Sequence, residues 1–597
     1  MAVTRRAFLK TAAAAAVARP MYSSVPAANL REPLQELAYS AVQLTGGPFA
    51  KQYDAIHAHY LSLSDDRLLK VYRQRAGLPA PGEDMGGWYD LNGFVPGHSL
   101  GQYISGLARI GACTRDSACT QKVQNLIGGF AETLGAHNQS ILRPESNQWI
   151  CYTLDKHFVG LIDAATLTED DLAVTVLNRV LEGAEPLLPA KVHDRIGKKN
   201  PPYDEPFVMP ENLFLAAAIT HNPRFHELAL RYLLDRDLFD PLAEGRDPFP
   251  GQHAYSHVIA LSSAGRAYLV LGEPKYKEAM KNAFTLLTST QQFASGGWGP
   301  NETFVTPHRG ELFDSLATTV DHFETPCGSY AAAKLARYLL RTGVPRSTDY
   351  ADYLERVLFN AILAARAPDS DGDYFYYSSY SAAANKVFYP SKWPCCSGTL
   401  VQTVADYPLD ICLKSSDGIY VMLYTPSRIT FTHGDTSIQL EQKTGFPAQD
   451  SVVISISVNH PKTFVIYLRL PRWLSGSPSL SINGRSTRLN ASAGAFTTLR
   501  RTWHNGDRIE LTLPQDFRTE PIDDLHPETV ALMRGPVQYV AIEPSNERPP
   551  NGHRILPSQL KPGGPEAYIQ SDSGEELVFV PLRAIVNETY TSYFRKT

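Results

Sequence analysis

The hydrophobic pattern of this 597-residue chain changes near residue 415. Before that point, apolar residues recur every three to four positions, which is the period of an amphipathic helix. Clusters of Gly, Pro, Asn and Asp separate the periodic segments and mark loops between them. The pattern predicts about a dozen helices, including 42–61 (after an irregular start), 100–110, 120–133, 158–165, 170–188, 212–219, 225–233, 256–271, 275–292, 330–341 and 350–365.

Many helices joined by short loops favour paired helices arranged in a ring, an (α/α)6 barrel. We therefore assign residues 29–415 to such a barrel. Periodicity alone establishes only a many-helix domain, and the closed ring is an inference from the number of helices.

After residue 415 the chain contains short β-rich runs at 419–424, 452–458, 463–470, 480–482, 509–513 and 529–533. Asn483-Gly484 and Asn505-Gly506 lie between such runs and predict hairpin turns. We assign 416–597 to one or more β-sandwich domains. The overall fold class is thus a helical barrel followed by an all-β region, as a chain too long for one core requires.

The net charge of −5 and the pI of about 6.4 argue against nucleic acid or an anionic membrane as a partner. Aromatic residues make up 10% of the chain, which suits stacking on sugar rings but equally suits a large core. A glycan is therefore compatible with the composition without being required by it.

The first residues resemble a Tat export signal. Arg5-Arg6 precedes Phe8-Leu9-Lys10 and an alanine run, with small residues near Ala27-Ala28. An ordinary N-terminal helix is the alternative, but Pro20 and Pro26 would stop it. We expect residues 1–28 to be removed and the folded protein to be periplasmic or secreted. No later apolar stretch is long enough to span a bilayer, so no membrane anchor is expected after signal removal.

The chain has seven cysteines, an odd number for an exported protein. Cys113 and Cys119 are close enough in sequence to form a disulfide. The adjacent Cys395-Cys396 pair is different, because neighbouring cysteines rarely bridge each other. Metal ligation is one explanation: with Glu324 and Cys327 the pair supplies three thiols and a carboxylate, a set that can hold Zn²⁺. A purely structural zinc would use the same ligands.

Several motifs together resemble the glycoside hydrolase family 127 and 146 group, typified by β-L-arabinofuranosidases. They are Gly-His-Ser-Leu-Gly-Gln-Tyr at 97–103, Gly-Gln-His-Ala at 251–254, Gly-Gly-Trp-Gly-Pro-Asn-Glu-Thr-Phe at 296–304, the 324–330 stretch and Trp-Pro-Cys-Cys-Ser-Gly-Thr at 393–399. The Cys-Cys-Ser-Gly element combined with the Glu/Cys element is the specific part of this resemblance.

The resemblance implies a retaining glycosidase in which zinc-bound Cys395 attacks the anomeric carbon. Cys396, Cys327 and Glu324 would complete the zinc ligands, and Glu302 would be the acid/base. Glu311 is a competing acid/base candidate. This chain departs from the usual Glu-x-Cys spacing, because Pro326 adds one residue between Glu324 and Cys327.

Four further residues at or near these motifs are candidates for binding sugar: His98, His157, His253 and Trp298. Each has a structural alternative, since lone histidines are more often packing residues and a Trp in a Gly-rich loop can plug the helical ring. The expected partner is an oligosaccharide or glycan, of plant origin if the resemblance extends to the substrate.

Two other functions remain open at this stage. One is a helical-barrel glycosidase or polysaccharide lyase that uses carboxylates and keeps zinc only for structure. The other is a non-catalytic sugar-binding protein, which Glu302, Cys327, Cys395 and Cys396 argue against, because binding alone needs no paired thiolates.

Overall fold

The computed structural model describes residues 31–596, apart from 136–148, 196–203, 320–325, 344–346, 366–370, 389–390, 545–551 and 573–574. The predicted export signal and Glu324 therefore lie outside the described residues. Among the described residues, no helix combines the length and the apolar character that crossing a bilayer requires.

Sixteen α-helices are found in the described part of the chain, and all of them precede residue 412. They are α1 Gly47–Ser62, α2 Asp65–Ala76, α3 Leu100–Thr114, α4 Ser117–Thr133, α5 Ile150–Leu167, α6 Asp171–Ala184, α7 Pro210–Thr220, α8 Pro223–Tyr232, α9 Asp240–Ala243, α10 Ala254–Leu271, α11 Pro274–Leu286, α12 Glu311–Thr318, α13 Pro326–Arg341, α14 Asp349–Val357, α15 Cys395–Ala405 and α16 Tyr407–Ile411.

Six of these helices form a closed inner ring. In chain order α3, α5, α7, α10, α13 and α15 each pack against the next, and α15 packs back against α3. The outer helices α4, α6, α8, α11 and α14 each follow an inner helix in sequence and pack against it or its neighbour, while α1 lies beside α15 and α3. The (α/α)6 barrel is thus confirmed.

Burial separates the two rings as the physics of helix packing requires. The inner helix α3 buries twelve consecutive residues from Leu100 to Gly111, so every side of it faces protein. The outer helix α6 buries Ala173, Val176, Leu177, Val180 and Leu181, a single stripe at helical spacing. The sequence pattern predicted both inner and outer helices. Two of the predicted helices, 275–292 and 350–365, end in π-helical turns.

Glycines allow the inner helices to approach closely. A Cβ at Gly101 would lie 1.9 Å from the carbonyl oxygen of Lys156, and one at Gly160 would lie 2.2 Å from the carbonyl oxygen of Gly101. These contacts join α3 to α5. On the other side of α3, a Cβ at Gly106 would lie 2.4 Å from the side chain of Val401 in α15.

The strands follow almost entirely after residue 411. They are β1 Gln35–Glu36, β2 Val42–Leu44, β3 Phe375–Ser378, β4 Lys386–Phe388, β5 Cys412–Lys414, β6 Gly418–Val421, β7 Ser427–His433, β8 Thr436–Thr444, β9 Ser451–Val458, β10 Lys462–Leu470, β11 Ser479–Ile482, β12 Arg485–Ser486, β13 Ala495–Trp503, β14 Arg508–Thr512, β15 Phe517–Pro521, β16 Thr529–Arg534, β17 Val537–Ile542, β18 Arg554–Ile555, β19 Lys561–Gly564, β20 Ala567–Asp572, β21 Glu575–Pro581, β22 Tyr590–Thr591 and β23 Phe594–Lys596.

The strands from β5 to β14 build a sandwich of two sheets. One sheet has the order β1-β5-β6-β10-β13 and the other β12-β11-β14-β9-β8-β7-β2. Ring contacts such as Phe431 to Phe464, at 5.9 Å between centroids, join the facing sheets. Because β1 and β2 come from the N-terminal part of the chain, the predicted division at 415/416 does not separate the two folding units cleanly.

The two predicted hairpin turns have different outcomes. Asn483 and Gly484 both have positive φ and join the paired strands β11 and β12, as predicted. The hairpin prediction for Asn505-Gly506 is wrong, because β13 pairs with β10 whereas β14 pairs with β9 and β11. That turn carries the chain from one sheet of the sandwich to the other.

A third sheet, containing β15 to β23, packs back on the helical domain. Its buried residues Val540, Leu582 and Tyr590 share a core with Phe293 and Tyr380. The Tyr593 hydroxyl accepts a hydrogen bond from the backbone N–H of Ala294 at 3.0 Å. The C-terminal sheet therefore supports the loop that leads to the Gly-Gly-Trp motif at 296–298.

Replacing Gly101 with Ala tests the close packing of the inner ring. The added methyl group collides with backbone atoms of α5, so we expect Gly101→Ala to destabilise the protein by about 1–3 kcal/mol. Gly128 in the outer helix α4 is the control, because a Cβ there meets nothing within 4 Å and Ala favours the helix by about 0.5–1 kcal/mol. Thermal and urea unfolding of both variants check the prediction, and equal stabilities would contradict it.

Candidate active site

The inner helices bring their N-terminal ends to one end of the barrel, and most of the candidate residues lie there. His98 precedes α3, His253 is the residue before α10, Cys327 is in the first turn of α13, and Cys395 and Cys396 begin α15. Motifs that are far apart in the sequence therefore meet because inner helices in such a ring all run in the same direction.

Three thiols form a compact group at this end of the barrel. The Sγ atom of Cys327 lies 3.2 Å from that of Cys395 and 3.8 Å from that of Cys396. The hydroxyl of Thr399, one turn into α15, lies 3.2 Å from the Cys327 sulfur. The sequence-predicted trio is thus assembled across a sequence separation of 68 residues.

Hydrogen bonds and close packing from α1 and α3 fix the first turn of α15. The hydroxyl of Ser397 lies 2.5 Å from that of Tyr103, and the Tyr60 hydroxyl donates to the Ser397 carbonyl at 2.5 Å. A Cβ at Gly398 would lie 2.1 Å from the amide oxygen of Gln102. The Cys-Cys-Ser-Gly motif therefore packs directly against the Gln-Tyr part of the 97–103 motif.

The electrostatics of the thiols favour a cation. Burial raises the pKa of the Cys327 and Cys396 thiols well above the usual range, so both are neutral in the bare protein. Two helix N-termini face the sulfur atoms and favour negative charge, but each contributes only a partial charge. A metal ion held by the three sulfurs would supply the charge that stabilises them as thiolates.

The donor set fits zinc. Tetrahedral ligation with Zn–S bonds of about 2.3 Å separates the sulfurs by about 3.8 Å, close to the separations in this group. The fourth predicted ligand, Glu324, lies outside the described residues. Pro326, the unusual residue of this motif, is the first residue of α13, where its fixed φ and missing N–H suit a helix start.

Cys395 is the most accessible of the three thiols. It is 7% exposed, whereas Cys327 is 1% and Cys396 0% exposed. Together the three pack against Trp88, Val95 and Tyr152. The first cysteine of the adjacent pair is therefore the least buried of the three.

His98 lies beside this group, between the rings of Trp88 and Tyr152 at 5.8 and 6.3 Å. Its Nδ1 faces the carbonyl oxygen of Val95 at 2.8 Å, so Nδ1 carries the proton and Nε2 is left as an acceptor. Nε2 is buried and has no hydrogen-bond partner among the described residues. Burial also lowers the pKa of His98 to about 3, which keeps the ring neutral.

Glu302 lies at the same end of the barrel. Its carboxylate is 3.6 Å from Nε2 of His253, and its side chain is 14% exposed. The loops of these two residues are joined by a backbone bridge between His253 and Thr303 and by the Phe304 N–H, which donates to the Gln252 carbonyl. Glu302 and Asn301 both have φ near +55°, a conformation that costs energy in a non-glycine residue.

His253 connects Glu302 to a second carboxylate. Nδ1 of His253 lies 3.4 Å from Glu205, which is 1% exposed and forms an ion pair with Arg195. The ring of His253 also contacts Tyr255, at 6.3 Å between centroids. Tyr255 in turn packs against the cluster that contains the three cysteines, so a chain of contacts links Glu302 to the thiols.

Glu311, the competing acid/base, is in a different place. It begins α12, and its carboxylate accepts from the backbone N–H of Thr306 at 2.8 Å. It lines a cavity of about 380 Å³ together with Asp523 and Asp524 from the turn between β15 and β16. Within the described part of the chain, no contact joins Glu311 to the residues around the cysteines.

Two of the candidate sugar-binding residues are engaged inside the protein. Nδ1 of His157 faces the Thr153 carbonyl and Nε2 faces the Tyr72 hydroxyl, both at 2.8 Å, so neither nitrogen is left for a sugar. The ring of Trp298 is 4% exposed and stacks on Tyr353 at 5.7 Å. These environments favour packing roles for both residues.

An aromatic rim borders the cysteine group. The ring of Phe94 is 58% exposed and lies 4.7 Å from that of Trp88 and 5.9 Å from that of Trp149. Apolar rings at an open edge can stack on the faces of sugars.

Sequence reasoning also missed Tyr152, Tyr255, Glu205 and Arg195. Tyr255 follows the recognised motif at 251–254 by one residue, and its position near a helix start was an available signal. Glu205 and Arg195 carry no such signal, because only the fold brings their ion pair beside His253.

The remaining cysteines are free thiols. Cys151 and Cys412 are fully buried, as expected of inert thiols, and burial raises the pKa of both well above the usual range. Cys113 and Cys119 are not bridged in this structure, although a disulfide between them had been considered from their spacing.

Comparison with known proteins gives a consistent result. The profile of the β-L-arabinofuranosidase GH127 catalytic domain matches residues 41–409, and that of the GH127 middle domain matches residues 418–515. A non-reducing end β-L-arabinofuranosidase of Bifidobacterium longum subsp. longum is 23% identical over 394 residues. That match covers 60% of this chain, and the chain spans 56% of the length of that relative.

Solved structures share the fold along nearly the whole chain. A GH127 β-L-arabinofuranosidase from Geobacillus stearothermophilus T6 superposes with a TM-score of 0.71 at 17% identity, covering 93% of this chain and 100% of that one. A second GH127 β-arabinofuranosidase also has a TM-score of 0.71 at 17% identity, covering 95% and 99%. With its catalytic and middle domains both matched, the chain belongs to the GH127 β-L-arabinofuranosidase family of glycoside hydrolases.

Proposed function

We propose that this chain is a retaining glycosidase that removes an arabinofuranose-type sugar from a glycan, with Cys395 as nucleophile and Glu302 as acid/base. The observation that carries the proposal is the thiol group itself: three cysteines from two helix starts meet, and Cys395 is the least buried of the three. The names of the relatives supply the sugar class.

The metal would be held by Cys327, Cys395 and Cys396, with Glu324 as the fourth ligand. When bound, zinc keeps the sulfurs anionic at neutral pH and stabilises the charge that returns to Cys395 as it leaves. Cys327 and Cys396 are sealed from solvent, which suits ligands that do not react.

In the first step, the Cys395 sulfur attacks the anomeric carbon and the carbon–oxygen bond to the leaving group breaks. Glu302, in its protonated form, gives its proton to the departing oxygen. The product of this step is a sugar joined to Cys395 through a carbon–sulfur bond.

In the second step, the Glu302 carboxylate takes a proton from water, and the resulting hydroxide attacks the same carbon. The carbon–sulfur bond breaks, its electron pair returns to Cys395, and Glu302 is again protonated. Two displacements at one carbon restore the original anomeric configuration.

His98 and His253 support this assignment by what they offer a sugar. Nε2 of His98 is a buried acceptor without a partner among the described residues, suited to a sugar hydroxyl beside Cys395. His253 lies between Glu302 and the Glu205–Arg195 ion pair, where it can hold the acid/base in position.

Export belongs to the same proposal. The twin-arginine sequence at Arg5-Arg6 supports delivery of the folded, metal-loaded protein to the periplasm or the medium, where plant-derived glycans would be met.

Loss of the Cys395 sulfur should abolish turnover. We expect Cys395→Ala to lower kcat by more than about 10³-fold on aryl arabinofuranosides, because the proposed mechanism has no second nucleophile. Cys412→Ala, which removes a buried thiol in β5 away from the site, is the control and should retain activity. A panel of aryl glycosides and glycan fragments, assayed with and without a chelator, measures both variants.

Retained turnover in Cys395→Ala would instead support a glycosidase or lyase based on carboxylates, with zinc only structural. Failure of the zinc-loaded wild-type protein to hydrolyse any arabinoside or plant-wall oligosaccharide would favour a sugar-binding protein.

The two candidate acid/base residues are distinguished by amide substitution. We expect Glu302→Gln to lower kcat by about 10²–10⁴-fold, because an amide can neither give nor take the proton. Glu311→Gln keeps the oxygen that accepts from Thr306 and should leave kcat within about threefold of the wild type. The reverse order of effects would move the acid/base role to Glu311.

A further inference from the structure

A second group of metal-ligand atoms lies on the outside of the barrel, away from the proposed active site. Nε2 of His57 in α1 is 3.1 Å from the Asp116 carboxylate and 3.3 Å from the Cys119 sulfur. Asp116 immediately precedes α4, and Cys119 lies in its first turn. The three ligand atoms all lie within 4.8 Å of one another.

One ring nitrogen of His57 serves two partners in this arrangement, a carboxylate oxygen and a thiol sulfur. If the nitrogen carries a proton, it donates to the Asp116 carboxylate, and the sulfur is only a weak acceptor. If it carries no proton, it accepts from the Cys119 S–H, and then its lone pair faces the carboxylate. A cation held by all three atoms would instead use a lone pair from each of them.

The two separations from His57, 3.1 Å to Asp116 and 3.3 Å to Cys119, are close to those of ligation. Zn–N and Zn–O bonds of about 2.0–2.2 Å and a Zn–S bond of about 2.3 Å place tetrahedral ligand atoms about 3.2–3.7 Å apart. Nitrogen, sulfur and carboxylate oxygen together suit zinc better than magnesium or calcium, which prefer oxygen alone. We propose that His57, Asp116 and Cys119 form a second zinc site, with water as the remaining ligand.

The surroundings permit entry of an ion. The side chains of His57 and Asp116 are 20% and 32% exposed, so solvent reaches the ligands, while Cys119 is buried behind them. Asp116 uses its other oxygen, Oδ1, to cap α4 through the Ala118 N–H at 2.9 Å, which fixes the carboxylate and leaves Oδ2 facing His57. Metal binding would thus require little rearrangement.

The site would tie α1 to the corner between α3 and α4. Helix α1 is the outer partner of α15, whose first turn carries Cys395 and Cys396. An ion bound by these residues would therefore join α1 to the segment between α3 and α4, close to the contact between α15 and α3. The role of the ion would be structural.

Zinc content measured by elemental analysis tests the site. The full-length mature protein is equilibrated with zinc and freed of excess by desalting. The wild type should hold two equivalents, whereas His57→Ala and Cys119→Ser should each hold one. Asp116→Asn keeps the oxygen that caps α4 and should bind the second ion more weakly. Cys412→Ala is the control and should keep two equivalents.

A second readout does not depend on stoichiometry. Added zinc should raise the melting temperature of Cys396→Ser, in which the proposed catalytic site is disrupted, and this rise should disappear when His57→Ala is added. The His57 and Cys119 variants should remain active, since neither residue belongs to the proposed catalytic site.

The proposal is overturned if His57→Ala and Cys119→Ser hold as much zinc as the wild type, or if His57→Ala leaves the zinc-dependent rise in melting temperature unchanged. Failure of the proposed catalytic site has a different signature, in which Cys396→Ser holds as much zinc as the wild type.

Discussion

The closure of six parallel inner helices into a ring is the constraint on which the rest of the structure depends. It requires α3 to pack against α5 at distances that only glycine permits at Gly101 and Gly160, and α15 to pack against α3 through a close contact between Gly106 and Val401. Once the ring closes, site residues that are as far apart in the sequence as His98 and Cys396 meet at one end of the barrel. The chemistry therefore follows from a packing requirement among helices, and the loops before the inner helices need only supply the reactive groups.

At the opposite end of the barrel, ion pairs link neighbouring inner helices. Arg109 in α3 binds Asp163 in α5 at 2.8 Å and Asp406 after α15 at 3.1 Å, and Arg337 in α13 binds the same Asp406 at 2.6 Å. Arg109, Arg337 and Asp406 are buried and Asp163 is partly exposed. Such networks are costly to leave half-paired, so they fix which helices are neighbours. Ion pairs thus hold the helices together at one end of the ring. The other end is left for the candidate site, where burial disfavours the charged form of the thiols.

How far the sequence predicts this protein depends on whether a feature is local. Helical periodicity predicted most helices, and Asn483-Gly484 predicted its hairpin, because both signals act over a few residues. Asn505-Gly506 misled us, since turn residues do not reveal which sheet the next strand joins. The strands β1 and β2 escaped prediction because a few residues next to a helix become strands only through partners some 380 residues away.

The same distinction applies to the site. Cys395, Cys396, Cys327 and Glu302 were identifiable because they stand in motifs, whereas Glu205 and Arg195 act through a pairing that only the fold creates. The central claim is that the sulfur of Cys395 attacks the sugar carbon. Its most direct test is incubation with an alkylating reagent shaped like an arabinofuranoside, followed by peptide mapping with mass spectrometry. We predict the label on Cys395, and a label on a carboxylate instead would contradict the account.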